Sequence, residues 1–194
     1  MRLVVGLGNP GGRYAATRHN VAWRVLELLA GRWRAQDDSV PGVYRARRAR
    51  VGGDCVELLQ PLTFMNQAGE ALWRWLHEHE GVPDVLIVTD DVHLPVGALR
   101  IRARGSSGGH RGLESVEAAL GTRDYARLRI GVGTAENGAQ LREHVLEEFA
   151  PEELPQVEQA VRHAAEAVEC WVTDGTRAAM NRFNRRIPKE GHEE

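Results

Sequence analysis

His19, Asp90 and His110 are the residues of this 194-residue chain best suited to acid–base chemistry, because each follows a stretch that reads as a strand and falls on the loop beyond it. A histidine whose second ring nitrogen donates to a carboxylate is held in one tautomer and becomes a better general base. The carboxylate stabilises the imidazolium formed when the ring takes a proton from water. Asn9 and Asn66 accompany the three, and amide side chains supply fixed donors and acceptors for an amide-containing substrate or a developing oxyanion. Such a set is hydrolytic and calls on neither a metal nor a cofactor. A serine nucleophile fits less well, since Ser106 and Ser107 sit in a glycine loop without a Gly-x-Ser-x-Gly elbow. Each residue also has an ordinary explanation: a solvated loop histidine, Asp90-Asp91 capping a turn, Asn66 capping a helix, glycines forming a plain connection.

The glycines after the first strand admit a rival chemistry. Gly6-x-Gly8-x-x-Gly11 is formally a dinucleotide-binding fingerprint. A turn of that kind opens directly into a helix holding pyrophosphate. Here Pro10, Gly11 and Gly12 lead instead into the polar run Thr17-Arg18-His19-Asn20. The ribose-binding acid expected about 20 residues on would be Glu27, which lies inside a helical pattern.

The elements that must position these residues alternate in type. Leu3 to Val5 has the character of a buried strand, and helical spacing predicts a helix over 21–34. Residues 43–51 and 54–60 read as strands joined by a Gly52-Gly53 hairpin, Pro61 ends the second, and a helix is expected over about 66–80. Val85 to Val88 is an apolar run of the sort a doubly covered sheet uses, and it leads to Asp90 and Asp91. Further strands are predicted over 98–102 and 128–132, and helices over 113–121, 140–149, 152–172 and 176–183. Strands interleaved with helices argue a single three-layer α/β domain over residues 1–187, with a mixed, mostly parallel twisted sheet flanked by helices; residues 188–194 read as a polar tail.

Charge is unevenly placed. The formal net charge is −2, yet Arg100, Arg102, Arg104, Arg111, Arg123, Arg127 and Arg129 crowd one third of the chain, ahead of a mostly acidic stretch from Glu136 to Glu169. A basic surface for a polyanion is one explanation; an arginine-preferring genome is the other, Lys189 being the sole lysine. Cys55 and Cys170 lack metal-type spacing and are expected to be core thiols. Met1 runs straight into a strand and no apolar run approaches the roughly 20 residues of a membrane span, so a cytoplasmic protein away from the membrane is expected.

The blocks Gly6-Leu-Gly-Asn-Pro-Gly11, Tyr14, Thr17-Arg-His-Asn20, Thr63-Phe-Met-Asn66, Asp90 before Leu94-Pro95, Gly108-Gly-His-Arg-Gly112 and Leu128-Arg-Ile-Gly131 occur in an order that closely resembles the bacterial peptidyl-tRNA hydrolase family across essentially the whole chain. The resemblance implies a monomeric esterase that cleaves the bond between a stalled peptide and the 3′ end of tRNA, with His19 as general base and Asp90 stabilising its active form. It further implies that Asn9 reads the blocked α-amino group and that Tyr14, Phe64, Asn66 and His110 contact substrate. Arg100, Arg102, Arg111 and Arg129 would then meet the acceptor stem and 3′ end through phosphates. Two positions depart from the family pattern: Arg111 stands where Asn is common, and His93 where an acid is usual. The resemblance also extends to non-catalytic, splicing-factor-like RNA-binding relatives, which form the second expectation; a dinucleotide-binding oxidoreductase is the third.

Overall fold

The computed structural model describes residues 1–81, 83–134 and 140–184; the expected tail at 188–194 lies outside them. Strand β1 (Arg2–Gly6) runs through the middle of a sheet built with β2 (Gln36–Asp37), β3 (Tyr44–Val51), β4 (Asp54–Pro61), β5 (Asp84–Asp91), β6 (Leu99–Arg102) and β7 (Ala126–Gly131). The order is β2-β3-β4-β1-β5-β7-β6. β1 pairs in parallel with β4 and β5, and β5 with β7, whereas β2, β3 and β6 join antiparallel. The parallel strands therefore all finish at one end of the sheet. The chain leaves β1 towards β4 on one side and reaches β5 on the other, a switch point of the sort that opens a crevice for ligands.

Alternation along the strands feeds two cores. Val4, Val56, Leu58, Leu86, Val88, Leu128 and Ile130 face α1 (Val21–Trp33) and α5 (Leu154–Phe183), while Leu3, Val5, Leu59 and Ile87 face α2 (Ala68–Glu78) and α3 (Arg111–Leu120). On β7 and β6 the second face carries Arg127, Arg129, Arg100 and Arg102 instead, set in cross-strand pairs Arg100 with Arg129 and Arg102 with Arg127. The Gly52-Gly53 hairpin forms as expected, and Gly175, at φ 83°, breaks α5 between the two helices read from the sequence.

Several boundaries differ from expectation. β5 extends to Asp91 because its pairing with β7 continues through Asp90–Ile130 and Asp91–Gly131, so Asp90 stands on the strand and not past it. The region expected to be helical over 140–149 holds only α4 (Leu141–Leu146). The two-residue β2 carries no apolar pattern and escapes sequence reading. Cys170 is a core thiol, but Cys55 near the start of β4 is only half-buried.

Two close approaches fix the helices that flank the crevice. Gly69 of α2 donates its N–H to Ser115 Oγ of α3 at 2.9 Å, and a β-carbon at Gly69 would overlap the Ser115 carbonyl oxygen. Gly69→Ala should therefore destabilise the protein by about 1–3 kcal/mol through overpacking. Gly31→Ala, at a position in α1 with nothing within 4 Å, should instead stabilise it by about 0.5–1 kcal/mol. Urea unfolding of the two variants checks both signs.

Candidate active site

At the carboxyl ends of β1, β5 and β7 lies a cleft of about 480 Å³. Its floor is a hydrogen-bonded trio. His19 sits on a single 3-10 turn (Arg18–Asn20) that runs into α1, and its Nδ1 lies 2.9 Å from Asp90 Oδ2. His110, at the N-terminal boundary of α3, places Nε2 2.9 Å from Asp90 Oδ1 and 3.0 Å from Thr89 Oγ1. Because Leu113 N–H donates to His110 Nδ1 at 3.3 Å, the proton of that ring belongs on Nε2 and points to Asp90. Both carboxylate oxygens are thus met by ring N–H groups, and His19 is left with Nε2 as the nitrogen that Asp90 does not occupy.

Asp90 is 2% exposed. Burial alone would push its carboxyl up, but the two imidazoles overcome that and hold it well below the usual carboxylate range. Burial likewise opposes a charged His19; the charge of Asp90 and its hydrogen bond outweigh burial and raise the His19 pKa above 6.5. The trio brings its donor atoms within 4.8 Å of one another, yet with one ring per oxygen it is satisfied as a hydrogen-bond network. A second such group, Asp38, Glu57 and His79, is bridged by Arg48 at 2.7 Å from Asp38 and 3.0 Å from Glu57.

The surrounding amides differ in how much of their bonding is already spent. Asn9 Oδ1 accepts from Met65 N–H at 2.8 Å, and the Asn9 backbone is clamped by Asn20, which accepts from Asn9 N–H and donates to Asn9 C=O, both at 2.9 Å. The Asn9 NH₂ is what remains to face the cleft. Asn66, on the 3-10 turn Met65–Gln67, caps neither that turn nor α2, so the helix-cap explanation falls away; it is exposed and lines the cleft. Tyr14 and Phe64 line it too, Phe64 with half its surface open. It is Asp91, and not Asp90, that serves the turn: Oδ1 accepts from His93 N–H at 2.8 Å and Oδ2 lies 3.4 Å from Arg129.

The expected cations separate. Arg111 and Arg129 line the cleft, as does His93. Arg129 is partly committed, since it donates to Ser106 C=O at 3.0 Å and braces the glycine loop. Arg100 and Arg102 lie outside the cleft, exposed on β6 and continuing the face on which Arg129 stands. The sequence did not single out Arg142, Leu141, Val145 and Leu146 of α4, which form one wall. His110, expected at the substrate and lining the cleft, also braces Asp90. Only proximity in space reveals either.

The dinucleotide expectation fails on packing. Gly6 and Gly8 lack side chains because α1 needs the room: a β-carbon at Gly8 would sit 2.7 Å from the Trp23 ring, one at Gly6 2.9 Å from Leu26. Trp23 Nε1 donates to Gly6 C=O at 2.9 Å. The glycines seat a helix against a strand, and that helix does not begin until Val21, ten residues beyond Gly11.

The peptidyl-tRNA hydrolase family profile matches residues 3–191. A peptidyl-tRNA hydrolase of Symbiobacterium thermophilum is 44% identical over 186 residues, covering 94% of this chain and 98% of that protein. One from Syntrophomonas wolfei is 42% identical over 187 residues, covering 95% and 100%. The crystal structure of peptidyl-tRNA hydrolase from Acinetobacter baumannii superposes with a TM-score of 0.89 at 31% identity, covering 97% of each chain.

The coupling of His19 to Asp90 is directly measurable. In an NMR titration the His19 imidazole should protonate above 6.5. In Asp90→Asn, where burial persists without the opposing charge, it should protonate below the wild-type value. Identical titrations would mean that the pair does not interact.

Proposed function

The chain belongs to the peptidyl-tRNA hydrolase family, and we propose that His19 is the general base of its reaction and Asp90 the group that orients it and stabilises the imidazolium formed when it takes a proton. The reaction is hydrolysis of the ester joining a peptide to tRNA. His19 Nε2 takes a proton from water, the resulting hydroxide adds to the ester carbonyl, and the positive ring is stabilised through Nδ1–H by Asp90 at 2.9 Å. Collapse of the tetrahedral intermediate expels the ribose oxygen, which takes the proton back from His19. The products are a peptide acid and tRNA with a free terminal hydroxyl. The observation that carries this reading is the buried Asp90 carboxylate shared between His19 and His110 at the floor of the cleft.

The remaining polar groups have assignable roles. The Asn66 amide supplies a donor to the oxyanion. Asn9 has its oxygen engaged by Met65, so it contributes N–H donors; it selects blocked substrates by donating to the acyl carbonyl that a free α-amino group lacks. Tyr14 and Phe64 offer ring faces to the substrate. Arg111, at the first turn of α3, meets a phosphate of the 3′ end, and Arg129, Arg100 and Arg102 continue towards the acceptor stem. We place the enzyme in the cytoplasm as a monomer; among the described residues no helix is long and apolar enough to cross a membrane.

The assay is release of free tRNA from N-acetylaminoacyl-tRNA without nicotinamide. His19→Ala should lower turnover by about 10²–10⁴ while tRNA affinity stays close to wild type; wild-type turnover would remove His19 from the chemistry. Because His19 must be neutral to accept a proton, its raised pKa puts the acid limb of the kcat/KM profile above 6.5. Asp90→Asn should move that limb downward and lower the plateau.

The cationic face is tested separately. Replacing Arg100 and Arg102 together by Ala should raise KM for whole peptidyl-tRNA and reduce its log–log salt slope by roughly 0.7–0.9 per lost phosphate contact. A minimal substrate consisting of the terminal adenosine ester should be cleaved as by wild type. Equal damage to both substrates would place these arginines in the fold or at the chemistry.

A further inference from the structure

Arg18 precedes the base His19 by one residue, yet its side chain is not part of the cleft wall. It is buried, with 9% of the side chain exposed. Nη1 donates to Val132 C=O at 2.9 Å and to Glu153 Oε1 at 3.0 Å, and Nη2 donates to Glu153 Oε2 at 2.7 Å. The guanidinium also lies 4.8 Å from the Phe149 ring centre. Its main-chain N–H donates to Glu147 C=O at 2.9 Å, and Thr17 bridges Glu148. Glu153 accepts in addition from Ala150 N–H at 2.7 Å, and the Arg18 hydrogen bonds hold its carboxyl below the ordinary range.

Every one of these partners lies at the exit of β7 or in the segment 147–153 that joins α4 to α5. That segment matters because α4 is only lightly packed. None of its residues is buried, although Leu141, Arg142, Val145 and Leu146 face the cleft. It rests against the turn Arg18–Asn20, and His144 Nε2 is within reach of the Gly133 and Val132 carbonyls at 3.0 and 3.3 Å, the same β7 exit that Arg18 grips. A wall with so little packing takes much of its position from whatever holds its ends.

We infer that Arg18 is a positioning residue for the hydrolase: its ion pair with Glu153 locks the α4 wall to the turn carrying His19, so that base and substrate pocket are set as one unit. This rests on the hydrolase assignment for its kinetic consequences and on contacts alone for its mechanical ones. The bidentate geometry suits the role, since a planar fork fixes angle as well as distance, which a lysine ammonium does not. The two partners are also separable. The main-chain bond from Arg18 to Glu147 persists in either variant; losing the Glu153 charge removes the ion pair and leaves the side-chain contact with Val132. Changing Arg18 loosens both.

Glu153→Gln and Arg18→Lys therefore give different signatures, read by amide hydrogen exchange and by kinetics on N-acetylaminoacyl-tRNA. In Glu153→Gln, exchange over residues 141–149 should accelerate about tenfold with β1 and β5 unchanged. KM should rise roughly three- to tenfold, and kcat and its acid limb should stay within about twofold of wild type. In Arg18→Lys the same exchange pattern should be joined by a fall of about tenfold in kcat, because the base turn loses its side-chain anchor as well. Unaltered exchange over 141–149 in both variants overturns the proposal, as does acceleration spread evenly through β1 and β5, which would make the pair a support of the whole fold. Wild-type protein inert toward the substrate would sink the hydrolase assignment instead, and the exchange pattern would then judge the latch by itself.

Discussion

A buried carboxylate must be met by partners or give up its charge, and Asp90 is the place where this chain faces that constraint. Its two oxygens are satisfied by rings 71 residues before it and 20 residues after it. Without His19 the Oδ2 oxygen is orphaned, and without His110 the Oδ1 oxygen keeps only the Thr89 hydroxyl at 3.4 Å, in a site 2% exposed. The turn after β1 and the glycine loop before α3 must therefore converge on the end of β5. The parallel pairing of β1 with β5 and of β5 with β7 brings those two connections to the same edge of the sheet. The trio is a condition on topology as much as a piece of chemistry: the fold supplies the convergence, and the carboxylate makes any looser arrangement costly.

Internal bonding decides which polar groups remain for a substrate. Asp91 differs from Asp90 by one position but points to the other face, where a turn N–H and Arg129 use it up. Asn9 is half spent and Asn66 is not. His110 hands one nitrogen to the first turn of α3 and the other to Asp90, leaving His19 Nε2 as the basic nitrogen of the trio. Residues that look interchangeable by type are thus sorted into scaffold and reagent by which of their atoms already have partners.

The same sorting divides the arginines. Alternation on β6 and β7 puts four of them on one face. Arg127 is buried, donating to Ser106 C=O at 3.0 Å and Arg123 C=O at 3.2 Å, and Arg129 braces the neighbouring carbonyls. These two hold the glycine loop that delivers His110, while Arg100 and Arg102 stay in solvent. One stretch of alternating arginine therefore serves as loop support next to the cleft and as an open cationic face beyond it.

The α/β class, the hairpin at Gly52-Gly53, the break near Gly175 and the ordered motif blocks that single out His19, Asp90, Asn9 and Asn66 can all be read from consecutive residues. All of these are local: periodicity, turn chemistry and residue type act over a few neighbours, and a motif is written in consecutive letters. Packing in three dimensions is what makes His110 brace Asp90, gives Asp91 to a turn, has Gly6 and Gly8 make room for Leu26 and Trp23, sets Arg100 and Arg102 outside the cleft, and makes α4 a wall tied to Arg18. Arg18 and Glu153 are 135 residues apart. No local pattern marks which arginine will be buried against which glutamate, because burial and partner choice belong to the packing of distant segments. Charge and hydrogen-bonding capacity are properties of a residue, while their satisfaction is a property of the fold.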